Sequence, residues 1–415
     1  MNPPRPMRIL MACAAFPPYM DGGGPISALM LARMLAGEGH VLRVVNAADE
    51  EGLERLDGFE VRRIRPTNVY WNYRRPRPTW KKAVWHLLEN GNPRAFQVMR
   101  REIADFRPDV LLTDSIENIN VASWAAARSL GVPVAHTLRS AFLLCWRGVM
   151  QKPDGRNCES QCTGCWLTSL GKRHFTRYVD AVCGESREVI ERHVSAGYFP
   201  NALSARIPGA VDRVAGAAAR PFPAGRPLRV GFLSVHTPFK GLQVLGEAAC
   251  AATGRPVDYV IAGTAPDGSE APALTRAFPP ERTRFLGWSD PAAFFPQIDL
   301  LVFPSLGREA FGRVAIEAFA HGVPVLGSDL GGIAETVADD HNGFLFPPGD
   351  VAALAALIDR VAGDGALYER LSRGALASAE PYYRPHVAAA YTRFLTSAID
   401  HAAARLERGR EQVAS

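Results

Sequence analysis

The stretch "MRILMACAAFPPYMDGGGPISALMLARMLAGEGHVLRVV", residues 7–45, changes rhythm twice. MRILMAC is an apolar run of strand length, as expected of a strand covered on both faces. Two prolines and three glycines follow, after which Leu29, Leu31, Met34 and Leu35 recur close to helical spacing. HVLRVV then reads as a second strand. Strand, glycine turn, helix and strand make the βαβ unit of a doubly wound parallel sheet, so an α/β fold is predicted. A buried first strand also explains the apolar start better than a signal peptide does.

Further strands are legible outward from there, in RPDVLLTDS (107–115), GVPVAHTL (131–138) and VDAVCGES (179–186). At 213–227 the text turns to RVAGAAARPFPAGRP, whose Ala, Pro and Gly content reads as a linker. The alternation then restarts with LRVGFLSV (228–235), VDYVIAGTA (257–265), TRFLGW (283–288), DLLVFPS (299–305), VPVLGSD (323–329) and GFLFPPG (343–349) as strands. Helical text lies between them, and HVAAAYTRFLTSAIDHAAARLERGREQV (386–413) closes the chain as a long amphipathic helix. The expected organisation is a first domain over 1–212, a linker over 213–227 and a second domain over 228–380. Residues 381–415 are expected to return to the first domain. Two such domains imply a cleft where strand ends and helix starts meet.

Composition sets outer limits. With 415 residues, 47% hydrophobic and 21% charged, the chain is ordinary for a globular protein. No apolar run approaches the ~18 residues of a membrane span, so a cytoplasmic location is the expectation. A net charge of +5 is too small to argue for nucleic acid as a partner. The charge is concentrated, however: residues 62–107 carry twelve Lys or Arg against three acids.

Function is best approached through "REAFGRVAIEAFAHGVPV" (308–325), where Glu309 and Glu317 stand eight positions apart. DLLVFPS is a strand, LGREA a loop, and a helix is predicted to begin near Phe311-Gly312. A helix start offers unpaired N–H groups and partial positive charge, which suit phosphate, and Gly312 allows close approach. Carboxylates accept paired hydrogen bonds from vicinal hydroxyls. A phosphate site between two diol-binding carboxylates describes a receptor for a nucleoside diphosphate sugar, with Glu317 on the ribose and Glu309 on the sugar.

These motifs resemble the retaining GT-B glycosyltransferases of the family 4 type. The likeness runs through FPPYMDGGGPISALMLARMLAGEGHVLRVV, HTPFKGLQVLGEA, VIAGTAP, FLGW and REAFGRVAIEAFAHGVPVLGSDLGGIAETV, in the family's order. The resemblance implies an α/β GT-B architecture: two Rossmann-like doubly wound domains facing each other across a cleft. It also implies transfer of a sugar from a nucleoside diphosphate sugar to a hydroxyl acceptor with retention, and neither a protein nucleophile nor a catalytic metal or cofactor. Carried to matching positions, Lys240 neutralises the departing diphosphate. Gly22 and Gly23 touch the same phosphates from the first domain, Gly263 and Thr264 line the nucleotide pocket, and Phe311, Gly312, Arg313 and Glu317 complete the donor site.

Three departures stand out. Val235 replaces an arginine about five residues before the lysine, so a diphosphate cation is missing unless His236, Arg313 or Arg139 supplies it. Arg139-Ser140 stands where the family has His-Asp. His136 lies nearby as a further catalytic candidate, although a lone strand histidine is also an ordinary core residue. Gly209-Ala210 replaces Asn-Gly at the domain junction.

Two features stand apart from this reading. Cys145, Cys158, Cys162 and Cys165 follow the pattern C-x12-C-x3-C-x2-C, a loop (145–165) that suits structural zinc, with free thiols, disulfides or an iron–sulfur cluster as alternatives. Arg74, Arg75, Arg77, Lys81 and Lys82 alternate with Trp71, Tyr73, Trp80 and Trp85, which suits an anionic membrane at the inner face; a solvated loop with core tryptophans is the alternative. Competing functions are a GT-B epimerase or phosphorylase, and a non-catalytic nucleotide-sugar-binding protein.

Overall fold

The computed structural model describes residues 5–19, 23–71, 78–252, 254–269 and 271–414. They form two compact units. The first comprises Met1–Met150, Cys158–Ala210 and Arg384–Ser415, and the second Gln151–Asn157 and Val211–Tyr383. Among the described residues no helix is long and apolar enough to cross a membrane.

The sheet of the first unit contains β1 (Arg8–Cys13), β2 (Val41–Ala47), β3 (Gly52–Leu56), β4 (Phe59–Ile64), β5 (Val110–Asp114), β6 (Val134–Leu138), β7 (Ala181–Gly184) and β8 (Leu203–Arg206). Its order is β3-β4-β2-β1-β5-β6-β7-β8, parallel throughout except for the antiparallel β3–β4 pair. All five residues of β5 and of β6 are buried, as expected of strands covered on both faces, although Thr113, Asp114, His136 and Thr137 interrupt their apolar text. The helix after β1 spans Gly23–Gly37, so the glycine stretch expected as a turn supplies its first residues. Asn92 caps the helix Pro93–Phe106 by accepting from the N–H groups of Arg94 and Ala95, with proline at its first position.

The last helix, Arg384–Ala414, belongs to this first unit. Its Val387, Ala388, Tyr391, Phe394, Leu395 and Ala398 share one core with β1 and the helix Gly23–Gly37. Their spacing of three and four is the stripe expected of a helix with one buried face. Trp71 and Trp85 are buried in the same unit, their indole N–H groups donating to Asp49 Oδ1 (2.9 Å) and the Tyr70 carbonyl (3.1 Å). These two tryptophans are therefore core residues, whereas Trp80 is exposed. Tyr73, Arg74, Arg75 and Arg77 lie outside the described residues.

The second unit is built on a parallel sheet of β9 (Leu228–Leu233), β10 (Val257–Ala262), β11 (Thr283–Gly287), β12 (Leu300–Phe303), β13 (Val325–Ser328) and β14 (Gly343–Phe346). The order is β11-β10-β9-β12-β13-β14. Residues 213–227, expected as a linker, are bound onto this unit. Arg220 donates to the carbonyls of His321 (2.9 Å), Ile298 (2.5 Å) and Phe295 (3.1 Å), and Phe222 packs edge-on against Tyr368. Proline and alanine made the segment look loose, but one guanidinium bonded to three backbone carbonyls fixes it.

Two expectations follow. Arg220→Ala should cost about 3 kcal/mol, because three hydrogen bonds from a charged donor are lost; urea unfolding measures this. In the first unit, burial lowers the pKa of His136 to about 3 and that of His193 to about 4. Both stay neutral in the fold but take up protons on unfolding, so their contribution is present above pH ~6.5 and is lost as pH falls toward 4. His136→Gln should therefore flatten the decline of stability between pH 6 and 4.5, by up to about 1.4 kcal/mol per pH unit. Tryptophan fluorescence reads it out, since six of the seven tryptophans lie in this unit.

Candidate functional site

In the second sheet β9 is flanked by β10 on one side and β12 on the other, so the connections leaving β9 and β12 diverge at the carboxyl ends of adjacent strands. Such a switch point is where open α/β sheets bind ligands. The segment after β9 carries Lys240 in a short 3-10 turn, Pro238–Lys240, and the segment after β12 carries Glu309. The two side chains meet across the switch: Lys240 Nζ donates to Glu309 Oε1 at 2.5 Å, and the buried Ser305 donates its Oγ–H to the same oxygen at 2.7 Å. Both remain accessible, with side-chain exposures of 25% and 14%.

Glycines allow this approach. Gly241 has φ 70°, and a Cβ there would stand 1.8 Å from the Pro304 carbonyl oxygen, so the lysine turn lies directly on the β12 exit. Gly331 and Gly332 perform the same service behind the glutamate. Added Cβ atoms would fall 2.6 Å from the Glu309 carbonyl and 2.5 Å from that of Ala310, and the Gly332 N–H donates to Glu309 O at 2.8 Å. The Leu306 N–H donates to Phe239 O at 2.9 Å, tying the two loops together.

The helix Arg313–Ala320 starts next to this pair. Its N-cap is Gly312, at φ 95°, and no side chain caps it. Glycine is thus demanded by the backbone conformation as well as by any close ligand. By contrast, Asp290, Asp350 and Asp364 cap their own helices with side-chain oxygens. Glu317 lies one turn inside, accepting from Arg313 Nε at 2.7 Å. Burial raises its pKa above the usual carboxylate value, and the Arg313 charge only partly offsets this. Phe311 is buried against Tyr382 (centroids 5.9 Å apart), so its ring anchors the loop in the core.

Gly263 and Thr264 follow β10. Gly263 has φ 122°, and a Cβ there would strike the Ser234 carbonyl at 1.8 Å; the Thr264 carbonyl accepts from the His236 N–H at 2.8 Å. The Gly263 N–H in turn donates to Gly287 O at 2.7 Å, which brings the end of β11 alongside. The next residue there, Trp288, is 80% exposed. In the sequence Trp288 stands in FLGW with no assigned part, and Ser305 closes DLLVFPS. A large aromatic directly after a strand was the available signal for the first; nothing in the text marks the second.

The first-unit candidates are placed differently. His136 is buried in β6, with Nδ1 2.8 Å from Thr113 Oγ1 and its ring stacked on Phe199 at 5.7 Å. These surroundings are those of a core residue, the alternative that the sequence also offered. The Arg139 guanidinium is buried between Asp114 (Nε–Oδ1 2.6 Å) and Glu185 (Nη1–Oε1 2.6 Å). Its charge is already matched by two carboxylates, so it does not stand free to replace a diphosphate cation. His236, the other candidate substitute at Val235, is buried, and Arg313 is paired with Glu317. Gly23 begins a helix, and a Cβ there would meet nothing within 4 Å; Gly22 lies outside the described residues.

The zinc expectation is not met. All seven cysteines are free thiols, and among the described residues no three His, Cys, Asp or Glu side chains group to hold a metal. Spacing put four thiols in one loop. The Cys162 and Cys165 thiols are neighbours, Cys162 exposed and Cys165 buried, but among the described residues no full ligand set forms around them.

Comparison with known proteins agrees with this geometry. Residues 22–210 match the glycosyl transferase 4-like domain, and residues 227–364 match the glycosyl transferases group 1. An uncharacterized 42.6 kDa protein in the cps region of Klebsiella pneumoniae is 27% identical over 334 residues, 79% of this chain and 87% of that protein. The capsular polysaccharide biosynthesis glycosyltransferase CapM of Staphylococcus aureus is 39% identical over 83 residues, only 20% of this chain and 22% of CapM. Among solved structures, Anabaena HepE in complex with UDP superposes with a TM-score of 0.70 at 19% identity, covering 94% of this chain and all of HepE. Sucrose-phosphate synthase from Thermosynechococcus elongatus gives 0.69 at 20% identity, covering 93% and 98%. Two Rossmann-like domains, a built switch-point site and two successive family matches lead to one conclusion: the chain belongs to the group 1, family 4-like glycosyltransferases of the GT-B fold.

Proposed function

We propose that the protein is a retaining glycosyltransferase that moves a sugar from a nucleoside diphosphate sugar to a hydroxyl of a glycan, glycolipid or small glycoside. The observation that carries this reading is the Lys240–Glu309 pair, held across the switch point beside the uncapped start of the helix Arg313–Ala320. In this reading the diphosphate lies at the helix start, where N–H groups and the helix dipole favour negative charge. Lys240 adds a positioned ammonium. Because Glu309 and the loop contacts already orient it, little reorganisation is needed as charge builds on the leaving group. Glu309 accepts from the sugar hydroxyls and Glu317 from the ribose. Trp288, beside Gly263 and Thr264, is assigned to the base, and the first domain to the acceptor.

The step balances without a protein nucleophile. The bond from the anomeric carbon to the phosphate oxygen breaks, the acceptor oxygen bonds to that carbon on the same face, and the acceptor proton passes to the departing diphosphate. HepE has been solved with UDP and with UDP-glucose, which makes uridine donors the first to test.

Lys240→Ala should lower kcat about 100- to 1000-fold with little change in melting temperature, as for loss of one transition-state charge stabiliser. Glu317→Gln should act mainly on donor affinity, weakening it about tenfold or more through loss of a charge-assisted contact. Trp288→Ala is expected to raise donor KM and leave kcat nearly unchanged, since stacking holds substrate and transition state alike. A thermal-shift series with UDP, GDP, ADP and their sugars, followed by product analysis, tests the assignment. Full turnover by Lys240→Ala, or no shift with any nucleotide, would overturn it. Donor binding with neither hydrolysis nor transfer to any hydroxyl would favour a binding protein instead.

A further inference from the structure

Three segments of the first unit leave large apolar side chains in solvent. The helix Thr79–Leu88 buries only Trp85, while Trp80 is 63% and Leu87 72% exposed. The turn after Cys145 presents Trp146, and the short helices Thr163–Leu167 and Leu170–Phe175 present Trp166, Leu167 and Leu170. Exposed apolar residues scattered singly are normal; six from adjoining segments are not.

The segments do adjoin. The rings of His86 and Trp146 lie 6.2 Å apart, and the Trp146 backbone N–H reaches the Cys165 thiol. Asn90, just past the first helix, donates to the Thr168 carbonyl at 2.7 Å and accepts from the N–H groups of Gly171 (3.0 Å) and Lys172 (3.3 Å). The loop carrying the unassigned cysteines is thus stitched to the amphipathic helix.

Charge identifies the occupant. Residues 79–88, 144–150 and 163–178 contain no Asp or Glu, yet they hold Lys81, Lys82 and the exposed Arg147. Lys81 Nζ sits 5.5 Å from the centre of the Trp80 ring. Tryptophan beside lysine, with leucines alongside, is the composition of a protein face seated among anionic headgroups. A second copy of the chain fits poorly: a two-fold interface would press this acid-free surface against itself and set like charges together.

We infer that this surface, formed by Trp80, Leu87, Trp146, Trp166, Leu167 and Leu170 with Lys81, Lys82 and Arg147, docks the first domain on an anionic lipid bilayer. The inference does not depend on the donor reading, because every residue in it lies outside the site of the second unit. The cysteine loop then acts as a scaffold that presents Trp146 and Trp166.

Cosedimentation with vesicles of phosphatidylcholine containing one-third phosphatidylglycerol, at low salt, tests it. The protein should partition onto them at least about tenfold more strongly than onto pure phosphatidylcholine, and the difference should shrink as salt rises. The variant Trp80→Ser, Leu87→Ser, Trp166→Ser, Leu167→Ser should lose that binding at least about tenfold while keeping its circular dichroism and its nucleotide-induced thermal shift. Lys81→Glu with Lys82→Glu should weaken binding to the anionic vesicles only. Absence of wild-type binding, or undiminished binding by the four-site variant, overturns the inference. So does a dimer in sedimentation velocity that the same variant abolishes, which would give the surface to a second copy. Loss of nucleotide binding with vesicle binding intact would count against the donor reading alone.

Discussion

Close backbone approach at the carboxyl edge of the second sheet is the constraint on which the site depends. Gly241 lies on Pro304, and Gly331 and Gly332 lie on the loop from Glu309 to Phe311, at separations that leave no room for a Cβ. Those contacts bring a lysine from one strand exit within hydrogen-bonding distance of a glutamate from the next. A side chain at any of the three glycines would force the loops to shift and so disturb the bond they frame. The polar contact is therefore a product of backbone packing, and the chemistry assigned to it inherits that rigidity.

The buried ionisable groups divide into two kinds. Arg139 with Asp114 and Glu185 forms a closed set, in which both carboxylates are within 2.6 Å of the guanidinium. Such a set specifies structure and has little left to offer a ligand. Glu317 is the opposite case: its pKa is raised because it is buried, with Arg313 as the side chain countering that burial. Charged groups held in unfavourable surroundings in a concave site are more often functional than structural. Arg139 and Lys240 both looked like candidate diphosphate cations in the sequence; Arg139 is enclosed by two carboxylates, whereas Lys240 meets one and is 25% exposed.

Much of the fold was legible because parallel strands covered on both faces spell themselves as apolar runs. MRILMAC, RPDVLLTDS and DLLVFPS each coincide with an observed strand. The segment containing Glu309, Phe311, Gly312 and Glu317 was legible for a different reason: a strand exit, a glycine N-cap and a helix start are local events, set by neighbours in the chain. Residues 213–227 misled because composition reports flexibility only when nothing distant binds the segment, and Arg220 binds three distant carbonyls.

By itself, then, the sequence determined the two α/β units, the helix start at Gly312 and the family to which the chain belongs, all of which rest on periodicity and local spacing. Tertiary structure alone decided that Lys240 meets Glu309 and that Arg139 is already neutralised. It also decided that His136 is buried, that among the described residues the four thiols are not gathered as one ligand set, and that six exposed apolar side chains lie on adjoining segments. These outcomes depend on which elements become neighbours across tens to hundreds of residues, and linear spacing carries no record of that.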